Sequence, residues 1–360
     1  MTARQVLIAG ASGVVGRAAL DAFGATPGWD ALGVSRRAPD VDLGRHMPLD
    51  LLDPQACAAA LRAGPSITHV VYCALQERPG LVQGWLDREL MQTNRRMLEG
   101  LLDALAPQGT LEHVSLLQGA KAYGAHQHPM RVPGREHEAR DPHENFYWLQ
   151  EDLLRERAAR EDFRFTIWRP PIVFGHAIGA PMNVLAAIGT FAAISKAEGS
   201  PLCWPGGATA ALDGVDARLL AQAFLWASDA PEARNQVFNI SNGDVFVWEN
   251  VWSSIAEAMG MAVGEPGPQR LSQSLPPKAG VWDELVVSQG LRAPELMQLV
   301  GDSYVYLDLL FNAGGERPPP ASLLSTIKLR RAGFQGCVDS EDMIIEWLRW
   351  LQQQRILPAA

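Results

Sequence analysis

Gly10-Ala11-Ser12-Gly13-Val14-Val15-Gly16 limits this chain more than any other stretch. An apolar run over 5–9 precedes it, and a helical pattern to about Phe23 follows. Glycines placed this way allow a tight turn and let the backbone approach a pyrophosphate. The helix that follows offers free N–H groups and a partial positive charge. Between a first strand and a first helix, the pattern predicts a dinucleotide cradle at Gly10, Ser12, Gly13, Val14, Val15 and Gly16. The spacing is GxxGxxG rather than GxGxxG.

The alternation continues. Strands are expected over 31–35, 67–74, 111–117 and 165–174, the last ending in Pro170-Pro171. Helices are expected over 54–63, 81–106 and 145–161. The second is marked by Leu86, Leu90, Met97, Leu98, Leu101 and Leu105 at helical spacing. Such alternation predicts an α/β fold, a Rossmann-type doubly wound parallel sheet covered on both faces. Beyond Gly175, Pro, Gly and Ala become frequent up to Gly207. A return segment over 209–226 and a strand over 237–240 follow, then helical patterns with Trp248, Trp252, Trp282, Trp347 and Trp350, the last two read as core. A terminal amphipathic helix is expected over 343–354. The expected division is a nucleotide-binding domain over 1–175, with return segments at about 209–245. A smaller, mainly helical substrate lobe takes 176–208 and 246–360.

Composition narrows the function. The 360 residues carry a formal net charge of −9, which disfavours nucleic acid and anionic membranes as partners. No apolar stretch approaches the ~20 residues a membrane helix needs. The first strand is expected to start at residue 5, so no signal peptide is expected. Cys57, Cys73, Cys203 and Cys337 are scattered and read as reduced thiols in a cytoplasmic protein. A small-molecule substrate is expected.

The end of the second strand selects the cofactor. An NAD site usually carries an acid there, to hold the ribose hydroxyls. Here Gly33-Val34-Ser35-Arg36-Arg37 has none, and Asp30 precedes the expected strand. Ser35, Arg36 and Arg37 suit a 2′-phosphate, so NADP(H) is expected. Asp50 and Leu51 are expected at the adenine. Further nucleotide contacts are expected at Ala74, Leu75, Gln118, Tyr147, Pro170 and Ile172.

Other blocks carry a family resemblance. Gly33 to Pro39, Thr68-His69-Val70-Val71-Tyr72 and Asn94 to Leu98 come first. Leu117-Gln118-Gly119-Ala120-Lys121-Ala122-Tyr123-Gly124 and Asn145-Phe146-Tyr147-Trp148-Leu149-Gln150-Glu151-Asp152 follow. Phe238 to Trp248, with Trp252, comes last. Over roughly residues 5–355 the chain resembles the progesterone 5β-reductase/iridoid synthase-like enzymes, extended short-chain dehydrogenases that reduce enones. Short-chain dehydrogenases usually place a lysine four residues after the catalytic tyrosine. Here Glu151 stands there, and none of the five tyrosines has a lysine at that spacing. The resemblance implies that Tyr147 is the catalytic tyrosine. It implies that Lys121, the sole lysine of the N-terminal half, is its partner. The chain departs from the group at Leu75, usually tryptophan, and at Ala122, Ala125 and Trp148. The changes at Leu75, Ala122 and Ala125 bear on the substrate pocket.

An enone takes hydride at its β-carbon and gathers negative charge on its carbonyl oxygen, which the protein must stabilise. A phenol can do so by hydrogen bonding. A free tyrosine has a pKa near ~10. One positive charge about 4 Å away, at an effective dielectric near ~20, is worth on the order of 4 kcal/mol. That is an upper limit of roughly three pKa units. Lys121 is therefore expected to make Tyr147 an effective donor near neutral pH. Glu151 is expected to turn away or be neutralised by an arginine such as Arg155. Plainer roles stay open: aromatic packing for Tyr147, a loop cation for Lys121. Ser115 lies mid-strand and reads as core. His126, His128, His137 and His143 share a loop with Glu136, Glu138 and Asp141; the spacing matches no metal motif, and the loop reads as a flap with no metal.

The expected activity is NADPH-dependent reduction of a C=C bond conjugated to a carbonyl. The alternatives are an aldehyde or ketone reductase of the same fold and an NADP(H)-sensing regulator without turnover. The helices over 81–106 and 145–161 suggest a homodimer through a four-helix interface.

Overall fold

The computed structural model describes residues 4–40 and 44–360. Among them nine strands form: β1 (Arg4–Ala9), β2 (Trp29–Ser35), β3 (Arg45–Pro48), β4 (His69–Tyr72), β5 (His113–Leu117), β6 (Arg164–Arg169), β7 (Ile172–Phe174), β8 (Gly214–Asp216) and β9 (Gln236–Asn239). Seven make one parallel sheet in the order β3-β2-β1-β4-β5-β6-β9, while β7 and β8 pair separately. The strand order reverses between β1 and β4, the point at which sheets of this kind offer a ligand crevice beyond the strand ends.

The long helices are α1 (Val14–Ala25), α2 (Pro54–Ala63), α3 (Arg88–Leu105), α4 (Phe146–Glu161), α5 (Val184–Ala197), α6 (Ala217–Asp229) and α7 (Trp248–Ala258), with the terminal helix Ser340–Gln353. β1 shows why both sheet faces must be covered. Leu7 and Ala9 join the core beneath α2, α3 and α4. Val6 and Ile8 join the core beneath α1 and α6. All four side chains have no solvent exposure, as period-two alternation in a doubly covered strand requires. A third core gathers α5, α7 and the terminal helix around Trp204, Trp248, Trp252, Trp282 and Trp347. All five are packing residues, as expected for Trp347.

Two expected elements are broken. The stretch over 81–106 is a 3₁₀ segment, Leu81–Leu86, followed by α3. Asp87 separates them, its side chain accepting the Leu90 N–H at 3.0 Å as an N-cap. The strand expected over 165–174 ends at Arg169, because Pro170 and Pro171 have no N–H for a ladder. Ile172–Phe174 resumes in the two-stranded sheet. Asp30 lies inside β2, at the end remote from the crevice, bonded to Arg45 at 2.6 Å.

All four cysteines are free. Among the described residues no helix is long and apolar enough to cross a membrane. None of the exposed large apolar side chains lies on α3 or α4.

Candidate active site

The cradle lies where β1 meets α1. Gly13 flanks α1 without a side-chain cap, so the first-turn N–H groups are left for an anion. Gly10 has φ +84°, and a Cβ there would lie 2.8 Å from the Ala74 backbone. A Cβ on Gly16 would lie 2.2 Å from the Gly10 carbonyl oxygen. Only glycine serves at either position. Ser12, Val14 and Val15 lie on the same turn, and the arrangement fits a dinucleotide diphosphate.

The adenosine end is more selective than its sequence. Ser35 Oγ donates to the Arg37 carbonyl at 2.6 Å and lies 3.0 Å from His46 Nε2. Arg37 donates to the Ile178 carbonyl. Arg36 is exposed and has no partner among the described residues, so its guanidinium is open to a phosphate. Asp50 is exposed and holds its own turn through the Leu52 N–H, while Leu51 is buried. Ala74 and Leu75 come after β4, Pro170 stands between β6 and β7, and Ile172 opens β7. The Gln118 side chain is turned inward. Its Nε2 donates to the Tyr147 carbonyl at 3.1 Å and to Glu151 at 3.2 Å, and its Oε1 accepts from Arg169 at 2.9 Å.

Tyr147 sits in the first turn of α4, which Asn145 caps by accepting the Tyr147 N–H at 3.0 Å. No protein group among the described residues bonds its hydroxyl. A Cβ on Gly119 would lie 3.1 Å from that oxygen, so the phenol rests on bare backbone. Lys121 lies on the 3₁₀ turn Ala120–Tyr123 after β5. Asn145 Nδ2 donates to the Lys121 carbonyl at 3.1 Å, so one side chain joins the two segments. The Lys121 ammonium stands 3.5 Å from the centre of the Trp85 ring, a cation–π contact. It has no ion pair or direct hydrogen bond among the described residues.

Burial sets the protonation of this pocket. It lowers the Lys121 pKa to about 8, against the opposing pull of the Glu77 carboxylate. Burial also raises the Glu77 carboxyl, while the charge of Lys121 draws it back. The Tyr147 phenol is raised well above its usual value by burial, and then by the charges of Glu77 and Tyr306. The expected lowering by Lys121 is therefore reversed. Desolvation and a nearby carboxylate set the shift, with no lowering by Lys121 among its causes, and the phenol stays protonated. Glu77, Trp85, Gly119 and Tyr306 were not foreseen. Trp85 owes its place to the 3₁₀ segment before α3, and its one signal was a tryptophan a little beyond Leu75.

Glu151 is neutralised, as expected, by more than one arginine. Arg155 approaches at 2.9 Å, Arg140 at 3.1 Å and Arg169 at 3.3 Å. Burial alone would raise its carboxyl, but the three guanidinium groups hold it below the usual range. Arg169 also stands 5.2 Å from the Trp148 ring centre and 5.3 Å from that of Tyr123. Ser115 is buried and accepts from the Trp168 indole at 3.3 Å, a structural position. The histidine loop is pinned through Glu136, which accepts the Asn239 N–H at 2.8 Å, and through a Gly134–Leu324 bridge. Among the described residues no three His, Cys, Asp or Glu side chains are placed to hold a metal. Glu151→Lys would restore the common Tyr-x-x-x-Lys spacing. It would also set an ammonium among three guanidinium groups, costing about 3–5 kcal/mol. The expected outcome is a lower urea midpoint with no gain in turnover; unchanged stability would contradict this account of Glu151.

Known proteins share this architecture. The model of the NAD dependent epimerase/dehydratase family matches residues 6–241. An (S)-8-oxocitronellyl enol synthase of Nepeta cataria is 31% identical, over 98% of this chain and 92% of its own. A 3-oxo-Δ(4,5)-steroid 5β-reductase of Arabidopsis thaliana is 29% identical, over 98% and 92%. The NAD complex of UDP-glucose 4-epimerase from Thermus thermophilus superposes with a TM-score of 0.64 at 18% identity, over 96% of this chain and 99% of that one. That likeness is one of fold. The chain belongs to the NAD dependent epimerase/dehydratase family, within its progesterone 5β-reductase/iridoid synthase-like branch.

Proposed function

We propose that this chain is an NADPH-dependent reductase of C=C bonds conjugated to a carbonyl, with Tyr147 and Lys121 acting at the carbonyl oxygen. The observation that carries the reading is the shared setting of these two residues. Asn145 joins their backbones, the phenol has no partner among the described residues, and the amine is desolvated against Trp85. The relatives' names, an enol synthase and a 3-oxo-Δ(4,5)-steroid reductase, belong to the same chemistry.

The dinucleotide, when bound, supplies the hydride. Tyr147 Oη donates a hydrogen bond to the substrate oxygen as charge gathers there. With its pKa raised, the phenol keeps its proton, and the enolate takes its own from water after release. The Lys121 ammonium adds positive potential to the same oxygen. Trp85 excludes water from the amine and so strengthens that potential. The cradle over 10–16 holds the diphosphate, and Arg36 takes the 2′-phosphate. The nucleotide occupies the part over 1–175 with its returns at 209–245. The substrate lies against the part over 176–208 and 246–360. The same reading places the protein in the cytoplasm as a homodimer paired through α3 and α4, without nucleic-acid or membrane partners.

Incubation with NADPH and simple cyclic and linear enones tests the reaction. A saturated carbonyl product is expected. An allylic alcohol would mark a carbonyl reductase, and nucleotide binding without turnover a sensing protein. Tyr147→Phe is expected to lower kcat about 100-fold or more with nucleotide affinity kept. The ammonium exists below its pKa and is lost above it. So kcat/KM should fall as pH rises through about 8. Lys121→Met should be slow throughout and lack that limb; an unaltered limb would remove Lys121 from the mechanism. Arg36→Ala should weaken NADPH binding about 10-fold or more, from the loss of a charge-assisted contact, and leave NADH binding unchanged. Equal loss for both nucleotides would contradict the 2′-phosphate assignment.

A further inference from the structure

We propose that Asn145 is a positioning residue whose carboxamide sets the Lys121 segment against the Tyr147 turn; this rests on the Tyr147/Lys121 reading above. A helix cap needs only an acceptor, which Oδ1 provides to the Tyr147 N–H at 3.0 Å. The other end of the amide has a different use. Nδ2 donates to the Lys121 carbonyl at 3.1 Å and meets His143 Nε2, also at 3.1 Å. The side-chain orientation is unambiguous. A flipped amide would face the Tyr147 N–H with a donor and the Lys121 carbonyl with an acceptor.

The arrangement is built inward from the histidine loop. His143 Nδ1 lies 2.6 Å from Asp141 Oδ1, which assigns the proton to Nδ1 and leaves Nε2 to accept from Asn145. The second oxygen of Asp141 is 3.0 Å from His128 Nε2. The His143 side chain is 6% exposed, and Asn145 likewise 6%. A line of hydrogen bonds therefore runs from Asp141 through His143 and Asn145 to the backbone of the lysine. In a Tyr-x-x-x-Lys helix, one turn of backbone sets the spacing of phenol and amine. Here the two lie on separate segments, and the carboxamide supplies the missing ruler.

Asn145→Asp separates the two uses of this side chain. Aspartate caps a helix as well as asparagine and is favoured at its N-terminus, so the cap survives. It has no N–H to give, and it sets a carboxylate against the Lys121 carbonyl. The expected result is a folded protein with unchanged NADPH affinity and a thermal midpoint lowered by the loss of the Nδ2 bonds. With them should come a kcat reduced about 10-fold or more at nearly constant KM, and a displaced alkaline limb. Asn145→Ser, also a good cap, gives a second variant should aspartate disturb folding, and is expected to lose kcat similarly. If both variants keep kcat within about twofold while Tyr147→Phe is inactive, the positioning role is overturned and the tyrosine mechanism stands. If Tyr147→Phe itself remains active, the functional reading falls and takes this inference with it.

Discussion

A desolvated amine is the constraint on which this site depends. Lys121 reaches the pocket across tertiary structure, and its ammonium rests on an indole face instead of a carboxylate. Removing water from a cation is costly, and the lowered pKa reports that cost. Trp85 offsets part of it through its ring, and Glu77 offsets more through its charge. The surroundings follow from the same need. The 3₁₀ segment Leu81–Leu86 carries Trp85 to the amine, and Asp87 restarts the helix behind it.

A second charged arrangement keeps the first intact. Glu151 occupies the place where a lysine commonly stands, and three arginines hold it away from the phenol in electrostatic effect. Gln118 and Arg169 tie that cluster to β5 and β6, beneath both Tyr147 and Tyr123. A buried anion with a structural role stands where the common cation would be, and the cation proposed to act in its stead lies on another turn. In a buried ion cluster of this kind the cost of desolvation offsets much of the pairing energy, so breaking it costs more than building it contributes.

Much of the frame was legible because steric rules act locally. The Gly10 to Gly16 turn and the burial of β1 on both faces each follow from neighbouring residues, whereas the cap at Asn145 lay inside the helix expected from 145. The breaks at Asp87 and Pro170-Pro171 were misread because apolar periodicity runs through them. The choice between Arg36 and Arg37 was invisible, since two identical side chains differ only in that one meets the Ile178 carbonyl. The sign of the Tyr147 shift was missed for a related reason. Charges can be counted in a sequence, but burial and the approach of Glu77 arise only on folding.

The chain has only four lysines, so each can be followed by NMR with ¹³C-labelled lysine. Titration of the four side-chain signals measures the setting of Lys121 without reference to any substrate. One signal, absent in Lys121→Met, should titrate near 8 and shift in Tyr147→Phe. Four signals titrating together near ~10.4, indifferent to the loss of the phenolic hydroxyl, would contradict a desolvated amine paired with Tyr147.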